Sequence, residues 1–193
     1  MSRHPRVRKI LVIDAPVSHA ALHALASAAG PSRYSQNNLV YLNTLQRFLR
    51  MSDRDNVAER VFVYADGART MFAGKDLPKK DDYPNFVTAQ IRETFDGALP
   101  IVAYVCPVVF DFPSIARVFP FSLVIADLID DQRTMTDNED LRSRFDSAYR
   151  QIISLADVVT TNCLPVAQAF ADCCKNIDVL PNACELDDGT EQR

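Results

Sequence analysis

The sequence is poor in glycine, and this scarcity limits which nucleotide-binding architectures it can adopt. Only five glycines occur in 193 residues. No Gly-x-Gly-x-x-Gly follows the first apolar run, and no Gly-x-x-x-x-Gly-Lys-Ser/Thr occurs anywhere. A glycine-rich cradle for the phosphates of a dinucleotide or a nucleoside triphosphate is therefore not expected. We expect this chain to carry no cofactor of its own.

Paired cysteine motifs and long apolar runs are missing too. Every apolar run is well short of the ~20 residues that a helix needs to span a bilayer. The cysteines form no Cys-x-x-Cys pair and no zinc-binding spacing; they are Cys106, Cys163, Cys173, Cys174 and Cys184. Because their number is odd and no secretory leader begins the sequence, we expect a reducing, cytoplasmic setting. The net charge of −4 argues against general attraction to nucleic acid, and peripheral contact with the inner face of a membrane is an open alternative.

Six short apolar runs, rich in Val and Ile, predict the strands of a parallel sheet. They lie at residues 10–14, 61–65, 101–105, 123–127, 157–162 and 177–181. They do not alternate strictly with polar residues, which suits strands that are covered on both faces. Helical periodicity falls between them, at residues 36–50, 87–95, 140–156 and 166–174, and residues 66–84 read as a loop.

This alternation predicts an α/β fold, a Rossmann-like, doubly wound parallel sheet of six or seven strands. We expect residues 1–9 to form a basic tail, residues 10–181 to form the domain, and residues 182–193 to be a linker towards a further domain. Two separate cores divided near residue 100 would argue against a single sheet.

Polar residues follow most of the predicted strands, where ligands bind in open parallel sheets. The candidate ligand-contacting residues are Asp14, Tyr34, Ser35, Asp127, Asp130, Asp131 and Asn162. The alternative is that each caps the next helix or turn, as Ser35 could for the helix that follows it. For Asp130 and Asp131, pairing with Arg133 and contact with a ligand are equally open. His19 and His23 share one helical face, and without a third ligand we expect surface residues and no metal site.

Five segments in a fixed order carry a family resemblance. They are IVAYVCPVV at 101–109, SLVIADLIDD at 122–131, EDLRSRFDSAYRQIISLA at 139–156, ADVVTTNCLPVAQAF at 156–170 and IDVLPNACE at 177–185. Together they resemble the N-terminal, acceptor-side domain of glycosyltransferase family 4, which is one half of the two-domain GT-B fold. The family's Gly-Gly loop after the first strand is missing, and Asn-Ala-Cys stands where Asn-Gly-Val is usual.

The resemblance implies a retaining, metal-independent transfer of a sugar from a nucleotide-sugar donor to a hydroxyl, as in bacterial surface polysaccharide synthesis. In such enzymes the N-terminal domain holds the acceptor, a sugar or a lipid-linked glycan, and the C-terminal domain holds the donor. Pro181 and Asn182 match the hinge between the two domains. No two glutamates here have the donor motif's Glu-x7-Glu spacing. We therefore expect the sequence to stop before the donor domain, and the chain alone to be inactive with no catalytic residue assigned.

Two alternatives compete with this interpretation. The chain could be a non-catalytic, acceptor- or partner-binding subunit of a split transferase. It could also be a phosphohydrolase of the haloacid-dehalogenase type with Asp14 on its first strand, although the second aspartate of that motif is missing.

Overall fold

The computed structural model of this α/β protein describes residues 7–28, 36–67, 69–97, 100–106 and 109–181. It divides into two compact units, Met1–Leu99 and Pro100–Arg193, which we call unit 1 and unit 2. Within the described residues, no helix has the length and apolar character needed to cross a membrane.

Unit 1 is built on a parallel ladder between two interrupted strands. Its elements are β1 (Ile10–Ile13), β2 (Val17–Ser18), α1 (His19–Ala28), α2 (Gln36–Phe48), β3 (Val57–Arg60), β4 (Val63–Tyr64), β5 (Met71–Phe72), β6 (Lys75–Asp76) and α3 (Tyr83–Phe95). β1 pairs with β3 and β2 pairs with β4, both in parallel. The backbone amides of Asp14 and Val17 donate to the carbonyls of Arg60 and Phe62, which links the two pairs. Pro16 lacks an amide hydrogen, so the ladder is interrupted there.

The core of unit 1 closes around a hairpin that the sequence did not predict. Phe72 on β5 is buried and packs with Leu22, Val61 and Val63. Its ring lies edge-on to that of Phe48, with 5.0 Å between the centroids. β5 and β6 pair in antiparallel fashion across Ala73 and Gly74, whose φ angles are 48° and 77°. Two consecutive positive φ angles define the turn favoured in two-residue hairpins. The prediction of a loop over residues 66–84 is therefore wrong for this hairpin and for the start of α3.

Unit 2 is a four-stranded parallel sheet with one helix in each connection. Its elements are β7 (Val102–Val105), α4 (Phe112–Val118), β8 (Leu123–Leu128), α5 (Glu139–Leu155), β9 (Val158–Thr161), α6 (Leu164–Ala169) and β10 (Asp178–Val179). The strand order is β7-β8-β9-β10, and all three pairings are parallel. α5 begins at Glu139, one residue before its predicted start, and the Asn138 side chain caps its first turn by accepting a hydrogen bond of 3.0 Å from the amide of Leu141.

The helices of unit 2 pack on alternate residues of the strands. Val124 and Ala126 on β8 are buried with Ile152 of α5 and Phe112 of α4. A second cluster joins Leu128 to four further core residues of β9, α5 and α6 and to Phe170 just after α6; those four are Tyr149, Ile153, Val159 and Val166. The alternate side chains of β7, on its other face, are exposed: Val102 is 51% exposed and Tyr104 is 47% exposed. The expectation of cover on both faces therefore does not hold for β7.

The α/β class and most elements were predicted correctly, whereas the predicted single sheet is not shown. Each of the six apolar runs contains a strand, and the helices predicted at 36–50, 87–95 and 140–156 are present. The helix predicted over 166–174 ends at Ala169, and a turn follows it. A single sheet of six or seven strands is not seen: the described strands form one four-stranded and three two-stranded sheets. The division after Leu99 is the outcome that the sequence analysis named as an argument against a single sheet.

Candidate functional site

The carboxyl edge of the unit 2 sheet gathers most of the predicted site residues. Leu128 at the end of β8 pairs with Thr161 at the end of β9. Asp130 and Asn162 therefore follow two neighbouring parallel strands at the same edge. Cys106 follows β7, and its thiol pKa is raised by burial and then by the negative charges of Asp127 and Asp130. The charges of β8 thus reach the end of β7, as a shared edge requires.

Asp127 lies on the face of the sheet and joins three strands. Thr160 on β9 donates a hydrogen bond of 2.8 Å to Asp127 Oδ1. The hydroxyl of Tyr104 on β7 donates to Oδ2 of the same carboxylate. Burial, and then the hydrogen bond with Asp127, raises the pKa of Tyr104 well above its usual value. Tyr104 therefore stays protonated, and Asp127 serves first as a cross-strand acceptor.

The Asp131 carboxylate is held by hydrogen bonds to Arg133. It accepts hydrogen bonds from the backbone amide of Arg133 at 3.1 Å and from the guanidinium Nε and Nη2, both at 2.9 Å. The side chains are only 13% and 15% exposed. Arg133 also lies over the ring of Phe170, 4.0 Å from its centroid. Of the two alternatives left open by the sequence, pairing with Arg133 describes Asp131.

Asp130 differs from its neighbour in exposure and in bonding. Its residue is exposed, and its carboxylate makes no hydrogen bond within the described part of the chain. Its backbone carbonyl is fixed, because the hydroxyl of Tyr149 donates to it at 2.6 Å. That hydroxyl also accepts from the amide of Gln132 at 3.2 Å. Asp130 therefore combines an anchored backbone with a carboxylate that can accept hydrogen bonds from a ligand.

Asn162 contributes an unsatisfied acceptor to this edge. Its side-chain oxygen is buried and has no hydrogen-bond partner among the residues described. A buried polar atom without a partner costs roughly 1–3 kcal/mol, and such atoms are rare in native proteins. A hydroxyl group of a ligand could supply the missing donor.

The polar residues that follow the strands of unit 1 are engaged in structural contacts. Asp14 forms an ion pair with Arg47 of α2, which also contacts Glu59 at 3.1 Å. Asp66 accepts from the hydroxyl of Ser18 at 2.6 Å and from the amide of Ala20 at 2.9 Å, so it caps α1, which precedes it in the chain, and not the next helix as the capping alternative had it.

The remaining predicted residues fall in different parts of the chain. Asp14 belongs to unit 1, whereas Asp127, Asp130, Asp131 and Asn162 belong to unit 2. Tyr34, Ser35 and Asn182 lie outside the described residues, and Pro181 is exposed at the end of the described chain. That Asp14 and Tyr34 contact a ligand together with the other candidate residues stays a prediction.

His19 and His23 lie near each other on α1. The rings of His19 and His23 lie 6.3 Å apart between centroids, and His19 packs edge-on against Phe72. Across the described ranges, no three His, Cys, Asp or Glu side chains are grouped so that they could hold a metal ion.

Sequence reasoning missed Tyr104 and Thr160, which hold Asp127. Both lie inside strands, one residue before a strand end, whereas the sequence pattern pointed to residues at or after the strand ends. The side-chain alternation of the strands could have found them: Tyr104 is opposite Ile125 and Thr160 is opposite Asp127, and Ile125 and Asp127 lie on the same face of β8.

A chain of ion pairs lines a shallow groove along α5. Arg133 pairs with Asp146 at 2.5 Å, and Asp146 pairs with Arg150 at 2.7 Å. Arg150 continues the chain to Asp172 at 2.8 Å. Each positive group is matched by a carboxylate, so the groove offers no uncompensated charge to an ionic ligand.

Acid is expected to destabilise unit 2 through Asp146. The hydrogen bond with Arg150 lowers the pKa of Asp146, burial opposes it, and the bond with Arg133 adds to the lowering. A carboxyl whose pKa is lower in the folded state contributes stability above its unfolded pKa of ~3.9, and this contribution is lost as the pH falls through the folded value. The urea concentration at the unfolding midpoint should therefore decrease as the pH is lowered below about 4. In Asp146→Asn this decrease with pH should be less steep. Asp137→Asn, an exposed site without a side-chain bond among the described residues, should keep the wild-type slope.

Comparisons with known proteins do not assign the chain. No family model, curated protein or solved structure matches it. The residues of the carboxyl edge and the resemblance of the sequence are therefore the grounds on which a function can be argued.

Proposed function

We propose that this chain is the acceptor-binding half of a retaining glycosyltransferase that resembles family 4 and moves a sugar from a nucleotide-sugar donor to a hydroxyl acceptor. One observation carries the proposal. At the carboxyl ends of the neighbouring strands β8 and β9, the chain carries an exposed carboxylate without a side-chain bond among the described residues and a buried amide oxygen without a partner. These belong to Asp130 and Asn162, and both lie within the segments that resemble the family.

The chemistry of this edge suits a ligand with several hydroxyl groups. A sugar hydroxyl can donate to the Asp130 carboxylate, and a second one can donate to the Asn162 oxygen. Hydrogen bonds to charged groups contribute roughly 1.5–3 kcal/mol each, so a few of them give weak but specific binding. Asp131 is excluded from the contact set because Arg133 occupies both of its oxygens.

The proposal also extends to the sheet, the hinge, the donor-binding domain and the cellular setting, about which the carboxyl edge gives no information. The strands would belong to a Rossmann-like sheet of six or seven strands, and Pro181 with Asn182 would form a hinge to a donor-binding domain. Sugar transfer would need that second domain, since orientation of the two substrates can supply ~7–11 kcal/mol of barrier reduction. The setting would be bacterial surface glycan synthesis in the cytoplasm, at the inner face of the membrane.

Removing the two free acceptors is expected to weaken saccharide binding. We expect Asp130→Asn and Asn162→Ala each to raise the dissociation constant about tenfold, which corresponds to ~1.4 kcal/mol. Binding would be followed by nuclear magnetic resonance titration of the labelled chain with a panel of mono- and disaccharides. Asp137→Asn removes an equal charge from an exposed loop of the same unit, and should bind as the wild type does. Equal effects of all three variants would contradict the assignment of the site.

A titration with nucleotide sugars tests the division of labour between domains. We expect no saturable binding of the donor and no transfer by this chain alone. Tight donor binding, or transfer without any added protein, would identify a complete enzyme and contradict the acceptor-half proposal.

The second candidate is a non-catalytic, partner-binding subunit of a split transferase. The exposed register of β7 favours it, because parallel strands are normally covered on both faces. The two candidates differ in one outcome. An acceptor half supports sugar transfer when a donor domain is supplied, whereas a non-catalytic subunit binds its partner and no transfer follows.

A further inference from the structure

Two adjacent cysteines lie in the turn that follows α6. Cys173 is exposed and Cys174 is half-buried, and both are free thiols. The turn is anchored from below by Phe170, whose carbonyl accepts from the amides of Cys173 at 3.0 Å and Cys174 at 2.9 Å. Phe170 itself is completely buried. The backbone under the two thiols is therefore fixed, while the side chains remain near the surface.

Each thiol makes one weak hydrogen bond that a bond to an incoming atom can replace. Cys173 Sγ donates to the carbonyl of Phe170, and Cys174 Sγ donates to the carbonyl of Asn176, both at 3.4 Å. Thiols are weak hydrogen-bond donors, so little energy opposes their reorientation. Among the residues that the structure describes, neither sulfur takes part in an ion pair or a disulfide.

The spacing of the pair decides which sulfur chemistry suits it. Adjacent α-carbons are about 3.8 Å apart, below the roughly 4.4–6.8 Å of relaxed disulfides, so a bond between these two sulfurs would be strained. A structural zinc ion needs four ligands, and no group of three His, Cys, Asp or Glu side chains that could hold a metal occurs in the described residues. Bonds from sulfur to a larger bridging atom are longer than a disulfide bond, so two adjacent thiols instead suit a soft, thiophilic centre that takes two sulfur ligands.

We propose that Cys173 and Cys174 form a bidentate site for trivalent arsenic compounds. With phenylarsine oxide, the bonds from arsenic to oxygen are replaced by two arsenic–sulfur bonds. The two thiol protons leave with the oxygen as water, and arsenic remains trivalent, so no oxidant is required. The phenyl group occupies the third position of arsenic, which matches a ligand for two thiols and no more.

The other cysteines stand apart from this pair in the chain. Cys106 follows β7, and Cys163 precedes α6; each is half-buried. Cys163 deserves the sharpest control, because it packs against the same apolar cluster as Cys174. Cys184 lies outside the described residues.

The test uses the folded, reduced full chain and phenylarsine oxide, with a phosphine as the reductant so that no added thiol competes. We expect one arsenical per chain by native mass spectrometry. Cys173→Ser and Cys174→Ser should each weaken binding, because losing one thiol removes an intramolecular second bond that contributes a factor of roughly 10²–10⁴. Cys106→Ser, Cys163→Ser and Cys184→Ser should bind as the wild type does, and excess dimercaptopropanol should release the arsenical. Circular dichroism confirms that each variant is folded, and Cys173→Ala and Cys174→Ala replace any serine variant that is not.

Three outcomes would overturn the proposal. The first is binding that survives the loss of either Cys173 or Cys174. The second is an equal loss of binding in Cys163→Ser or Cys184→Ser, which would place the arsenical on a different pair of thiols. The third is the absence of any bound arsenical on the folded wild-type chain.

Discussion

Truncation of Phe170 to alanine is expected to lower the free energy of unfolding of unit 2 by about 4 kcal/mol, within the range for large buried aromatic side chains. Phe170 is completely buried. Its ring lies 5.0 Å from that of Tyr149 between centroids, and the guanidinium of Arg133 covers it at 4.0 Å. The change would remove the support beneath Arg133, which holds Asp131 beside the candidate site. We therefore expect reduced saccharide binding together with reduced stability.

Urea unfolding followed by far-ultraviolet circular dichroism measures this effect, and two variants control it. Phe110→Ala removes the same side chain from a position that is 41% exposed, where the ring stacks on Phe145 at 5.3 Å. Loss of such a pair should cost only about 1 kcal/mol. Phe170→Leu keeps part of the volume and should fall between alanine and the wild type, which preserves the test if alanine prevents folding. Similar losses for Phe110→Ala and Phe170→Ala would show that Phe170 does not anchor the unit.

Replacement of Arg60 by alanine is the second change with a large expected effect, about 3 kcal/mol in unit 1. Arg60 is 7% exposed, and its Nε donates to the side-chain oxygen of Gln90 at 2.9 Å. Its Nη1 contacts Asp53 at 2.5 Å and the carbonyl of Glu59 at 2.8 Å. Loss of the guanidinium takes the 2.9 Å donor from the buried oxygen of Gln90 and leaves a void where the buried arginine packed, and these two effects are the main source of the cost, because Asp53 is 37% exposed and can be solvated.

An exposed ion pair of the same unit supplies the matched control. Arg69 pairs with Asp76 at 2.6 Å, but its side chain is 82% exposed. Arg69→Ala should therefore leave the urea midpoint close to that of the wild type, because exposed pairs are screened by water. The hydrogen bond from Arg60 is also the main reason why the pKa of Asp53 is lowered. That pKa should rise towards its ordinary value in Arg60→Ala, which nuclear magnetic resonance can follow. An unchanged pKa would mean that the network does not form as described.

At the carboxyl edge, the sequence identified the candidate carboxylates but not which of them is paired within the protein. Asp130 and Asp131 are adjacent and chemically identical, so the sequence left pairing and ligand contact open for both. The structure separates them, because the backbone turn directs Asp131 to Arg133 and leaves Asp130 exposed. A one-residue step along a turn changes the direction of a side chain, and no local pattern encodes which of two equal carboxylates meets its partner.

Local periodicity determined the α/β class, the positions of the strands and three of the helices, because burial of apolar residues repeats at the spacing of each element. The start of α5 at Glu139 is also encoded locally, by the Asn138 cap, which acts within one turn. Long-range contacts decided the rest. Four features depend on residues that are distant in sequence. They are the Phe72 hairpin, the hydrogen bond between Tyr104 and Asp127, the exposed face of β7 and the division after Leu99. Their energies depend on which surfaces meet in the folded chain, so only the tertiary structure could decide them.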